Sequence, residues 1–168
     1  MNATFYIAAL VAILATLRTI TQLNAVRALL YLIVSLLAVA VVFFTLGAPF
    51  AAALEVITYA GAIMVLFVFV IMMLNLGPVS ANQEKQWLTP NIWFGPSILA
   101  AVLFVGLIYG ILETTPPPGG AIASEVGPRQ VGIALFGPYA VGVELASILL
   151  LAGLVGAYHL GSRKADNP

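Results

Sequence analysis

Phe50 to Leu76 reads FAAALEVITYAGAIMVLFVFVIMMLNL, and this stretch decides the fold. At 1.5 Å per residue, about 20 apolar residues cross a bilayer core, so the run is long enough to span it with some tilt. Its one formally charged residue is Glu55, followed a turn later by Tyr59 and then by Gly61. A carboxyl group inside hydrocarbon costs at least a few kcal/mol unless it is neutralised or partnered, so this one calls for an explanation.

The rest of the composition agrees. The chain of 168 residues is 62% hydrophobic and 7% charged, with a mean hydropathy of +1.13. Soluble domains carry about 25% charged residues, and a soluble fold of this size could not hide so much apolar surface. The chain therefore reads as an all-α integral membrane protein. With no cysteine there are no disulfides, thiolate metal sites or thiol nucleophiles, and a single histidine argues against a self-contained metal centre. Zero net charge without a basic cluster gives no electrostatic support for binding nucleic acid.

Working outward from the central run, hydropathy predicts five transmembrane helices, over residues 1–22, 28–46, 50–76, 91–113 and 138–161, forming one membrane domain over 1–168. The first lacks the positive n-region and cleavage site of a secretory signal and reads as a retained helix. Thr19 to Val26 reads as a linker, and Gly47-Ala48-Pro49 ends the second helix with a turn and a helix breaker. A polar loop from Gly77 to Pro90 carries Glu84 and Lys85, with Trp87 and Trp93 placed for the membrane interface. Triple proline and double glycine open a long outer loop, Glu113 to Pro138. Within it, Gln130 to Phe136 is compatible with a short β-hairpin strand. Arg18, Arg27, Lys85, Arg163 and Lys164 gather on one side and Arg129 on the other, which sets the N-terminus outside and the C-terminus inside.

Few residues could carry chemistry. Helical spacing puts Glu55, Tyr59, Ala62 and Leu66 on one face. Glu55 is either a protonatable group on a proton route, with Tyr59 as hydrogen-bonding relay, or a structural carboxyl beside a packed tyrosine. Gly61 weakens a helix by about 1 kcal/mol relative to alanine. Its role is either close helix contact, which spacing alone favours, or a bulge that turns everything downstream by about 100°. A bulge would re-aim the flexible side chains of Met64, Met72 and Met73. Glu144 in the fifth helix poses the same choice as Glu55 nearer the surface, Glu113 suits the headgroup region, and His159 suits the opposite interface. Small residues recur at spacing four, as at Gly106 and Gly110 or Gly153 and Ala157, and allow close helix approach. So many contact faces on a five-helix chain imply membership of a larger assembly. There is no catalytic residue set, nucleotide loop or haem-ligating pair, and no internal repeat of the transporter kind.

The segment LEVITYAGAIMVLFVFVIMMLN, Leu54 to Asn75, and the terminal stretch Leu135-Phe136 with ELASILLLAGLVGA, Glu144 to Ala157, resemble the J-subunit family of bacterial proton-pumping NADH:quinone oxidoreductase, respiratory complex I, whose mitochondrial counterpart is NADH dehydrogenase subunit 6. The similarity covers essentially the whole chain. It implies a multi-pass protein of the bacterial inner membrane, in the membrane arm, beside the small K-type, the A-type and the quinone-site H-type subunits. It implies that NADH, FMN, iron–sulfur clusters and quinone belong to other subunits. It also implies a π-bulge over Tyr59, Ala60, Gly61 and Ala62 that switches to α and gates a water path, with Glu55 matching an acid of the family. The rival readings are an assembly scaffold without gating and a free-standing small-molecule transporter.

Overall fold

The computed structural model describes residues 3–74, 90–113 and 126–161. Five helices among them are long and apolar enough to cross a membrane: Ala3–Thr21, Ala25–Thr45, Pro49–Met73, Trp93–Leu112 and Ala140–Gly161. The chain forms two compact units, Met1–Glu125 and Val126–Pro168.

In the first unit, α1 (Ala3–Thr21) and α2 (Ala25–Thr45) form a tight hairpin. The second helix starts three residues before the expected Ala28. Asn24 has an extended backbone, and its Oδ1 accepts the Arg27 N–H at 3.1 Å, so the polar linker residue is an N-cap. At the other end Gly47 adopts φ +79°. Its N–H bonds the Phe44 carbonyl at 3.1 Å while the Ala48 N–H bonds that of Phe43 at 3.1 Å, a Schellman closure that needs a residue without Cβ. Pro49 then opens the next helix at a position where its missing N–H costs nothing.

The core sits between α1, α2 and α5 (Pro90–Glu113). Ala8, Val11 and Ala15 meet Val34, Ala38 and Val41, with Leu103 closing the cluster. Both stripes follow helical spacing, and the alanines let the backbones approach closely. A polar bond crosses this seam: Thr16 Oγ1 and Ser35 Oγ stand 2.7 Å apart. Gly106 and Gly110 face α1, where a Cβ on them would lie 3.5 Å from Ile7 Cγ2 and 2.8 Å from Thr4 Oγ1. Lower on α5, a Cβ at Gly95 would overlap the hydroxyl of buried Tyr31 from α2. The next residue, Pro96, lies inside the helix.

In the second unit, Gln130 to Phe136 is not a strand. Residues Pro128–Phe136 form α6, because Pro128 presets the first turn and Gln130 Oε1 accepts the Gly127 N–H at 3.1 Å. The apolar alternation at Val131 and Ile133 loses to this capping. A turn over Gly137 leads into α7 (Ala140–Gly161). Glu84, Lys85 and Trp87, most of the proline-rich loop, and the charged tail lie outside the described residues.

Candidate functional site

The third span is one rod in three segments and two registers: α3 (Pro49–Leu54), a π segment (Glu55–Ile63) and α4 (Met64–Leu74). π-Helix usually appears as a single-turn bulge. Here it covers nine residues. Composition gives a reason for where it lies. Alanines dominate α3, whereas EVITYAGAI carries Val56, Ile57, Thr58, Tyr59, Gly61 and Ile63, all weaker α-formers than alanine. The wider register also closes on α4, where the Met64 N–H reaches the carbonyls of both Tyr59 and Gly61.

Tyr59, Ala60, Gly61 and Ala62 all fall inside this segment, and so does Glu55 at its first position. A Cβ at Gly61 would lie 3.2 Å from the carbonyl oxygen of Val56, five residues earlier. That is tighter than ordinary van der Waals contact, so any side chain at 61 pushes on the carbonyl that the π register brings close. Val56 had no place in the sequence reading. The β-branched run Val56-Ile57-Thr58 was the available signal for it.

Glu55 is half-buried, and its carboxyl makes no hydrogen bond or ion pair among the described residues. Tyr59 is half-exposed and likewise makes none there, so no direct bond joins the two among the described residues. The three methionines separate. Met64 is 3% exposed, while Met72 and Met73 are exposed on α4. Glu144 lies in the second unit on α7, where its carbonyl accepts the Ser147 hydroxyl at 2.7 Å.

The wall behind the segment is α2, which packs against α3, the π segment and α4. Beside it opens a cleft of about 820 Å³ between α2, the start of the third span and α5. Its lining side chains are all apolar, among them Phe44, Ala52, Val56 and Phe104. Such a cleft accepts hydrocarbon and offers no ligand for an ion. Among the described residues no group of three His, Cys, Asp or Glu side chains could hold a metal.

These features define a class: an all-helical, multi-span membrane protein whose irregular element is a π segment in its third span. Residues 15–160 match the family described as NADH-ubiquinone/plastoquinone oxidoreductase chain 6, and the chain belongs to that family. It is 62% identical to NADH-quinone oxidoreductase subunit J of Pseudomonas aeruginosa over 165 residues, 98% of this chain and 99% of the relative. To the protein of that name in Escherichia coli K12 it is 60% identical over 161 residues, 96% of this chain and 86% of the relative. The subunit J of Buchnera aphidicola from Schizaphis graminum is 51% identical, over 98% and 99% of the two chains. The resemblance read from Leu54–Asn75 and Glu144–Ala157 thus extends through the whole chain.

Proposed function

We propose that the chain is a membrane-arm subunit of a proton-translocating NADH:quinone oxidoreductase in the bacterial inner membrane, and that its third span is a conformational gate. It holds no redox centre. NADH, FMN, iron–sulfur clusters and quinone belong to other subunits, and its neighbours are the K-, A- and H-type subunits. The N-terminus faces outward, following the distribution of arginine and lysine.

The π segment over Glu55–Ile63 carries this reading. A π turn and an α turn each give one hydrogen bond per peptide, so exchanging them redistributes bonds without abolishing them. Returning the segment to α register would rotate α4 by about 100° per inserted residue removed. That rotation withdraws Met64 from its buried position and gives up the packing contacts it makes there. A shift from 1:99 to 99:1 needs about 5.5 kcal/mol of differential binding, which a redox-driven change at a subunit interface can supply. Glu55 and Tyr59 then border the water route, taking their hydrogen-bond partners from water or adjoining subunits.

The test is Gly61→Leu in the assembled enzyme. Blocked gating predicts normal complex abundance with impaired quinone reduction or proton pumping. Normal turnover and pumping per assembled complex would leave the third span a scaffold only.

A further inference from the structure

The tip of the α1–α2 hairpin combines two features that the gate does not use. Arg18 lies in the last turn of α1 and Arg27 in the first turn of α2. Neither forms an ion pair among the described residues, and Arg27 Nε is shut from solvent with no acceptor there. Three other polar side chains of the tip are bonded to nearby backbone. Thr19 Oγ1 donates to the Ala15 carbonyl at 2.9 Å, Thr21 Oγ1 to that of Leu17 at 3.0 Å, and Asn24 Oδ1 caps α2. Between the arginines, Ile20 is 76% exposed and Leu23 fully exposed.

We infer that this tip docks on the headgroup of an anionic phospholipid. The ends of two spans lie at headgroup depth, where phosphates are the abundant acceptors. A guanidinium matches a phosphate with paired, charge-assisted hydrogen bonds. Arg27 also occupies a helix N-terminus, where a cation is unfavourable beside the positive end of the dipole unless an anion stands between them. Ile20 and Leu23 need hydrocarbon within a side chain's reach of that anion. A lipid provides both and free phosphate only one.

Replacing Gln22 with a benzophenone amino acid in the assembled complex, in nanodiscs of phosphatidylcholine and phosphatidylglycerol in equal parts, reads the contact directly. Photoadducts to phosphatidylglycerol should exceed those to phosphatidylcholine, with each arginine contributing about fivefold. Arg18→Gln with Arg27→Gln should bring the two adducts to parity. Leu23→Ser, which keeps both charges, should lower both adducts together and leave their ratio unchanged. Equal adducts on the unsubstituted tip would overturn the inference, as would adducts to polypeptide alone or loss of the phosphatidylglycerol adduct on adding inorganic phosphate.

Discussion

The α1–α2 hairpin and the third span are both apolar rods of membrane-crossing length, yet they are built differently. In the hairpin, Ala8, Val11 and Ala15 interlock with Val34, Ala38 and Val41, both helices keep α register, and Thr16 bonds Ser35 across the seam. Among the described residues of the third span only Ala52 and Met64 are buried, and nine residues leave α register. Within a bilayer, lipid tails are as apolar as leucine, so greasiness alone does not hold two helices together. Close backbone approach and interhelical polar bonds do. The hairpin has both, and its backbone is regular. The third span leans on α2 and leaves most of its surface exposed, and its backbone is the one that departs from α register. The difference sets a closely packed α hairpin apart from the span to which the proposed gate is assigned.

If that separation is right, substitutions in the two regions fail in different ways. The largest effect falls on Gly95→Ala, where α5 packs on the hairpin through Tyr31 of α2. The added methyl overlaps the Tyr31 hydroxyl, and its next contact, Tyr31 Cζ, stands at only 3.0 Å. Overpacking a rigid seam costs about 1–3 kcal/mol. Quantitative blotting of native gels should show less assembled complex, while quinone reductase activity per assembled complex is unchanged. Tyr31→Ala in the same chain should remove much of the penalty, since the two side chains compete for one space. An additive double mutant would disprove that competition.

Gly61→Leu comes next and should fail in the opposite way. Its Cβ would press on the Val56 carbonyl at 3.2 Å, in a span most of whose residues are exposed. Assembly should hold while activity per complex falls about tenfold, equivalent to about 1.4 kcal/mol on the barrier. A loss of complex that matches the loss of activity would erase the contrast between the regions.

How much of this was legible in the sequence follows the same division. Hydropathy located all five spans, because crossing a bilayer constrains every residue of a helix at once. Local capping was readable at Gly47-Ala48-Pro49 and was missed at Asn24 and Gln130, where one side-chain acceptor decides the helix start. The π segment was not legible from spacing, which favoured simple packing for Gly61. The family resemblance implied a bulge over Tyr59 to Ala62, and weak α-formers run from Val56 to Ile63 through the segment. Contacts between distant residues left no trace in one sequence. Tyr31 against Gly95, Thr16 with Ser35, and the burial of Met64 but not Met72 all depend on how the helices cross.

A smaller effect tests the seam itself. Ser35→Ala removes the Thr16 partner at 2.7 Å, while Thr16 keeps its 2.8 Å bond to the Ala12 carbonyl. Intramembrane hydrogen bonds of this kind contribute about 0.6 kcal/mol, because lost partners are partly replaced. A slightly lower thermal midpoint of the detergent-solubilised complex, with unchanged activity, is the expected result. A drop as large as that of Gly95→Ala would mean that polar bonding, and not the fit of small residues, holds the hairpin.

Glu55→Gln should have the smallest effect on activity. The carboxyl stands at the first position of the π segment, is half-buried, and has no bonded partner among the described residues. Glutamine keeps its length and polarity and leaves the Val56 carbonyl undisturbed. If the backbone register is the moving part, the side chain that borders it is auxiliary, and quinone reductase activity per complex should fall no more than about twofold, equivalent to about 0.4 kcal/mol. The ranking against Gly61→Leu therefore matters more than either value alone. If Glu55→Gln proved the more damaging of the two, the proton would have to pass through that carboxyl. The third span would then differ from the hairpin by the acid it carries, and the pliancy of its backbone would be incidental.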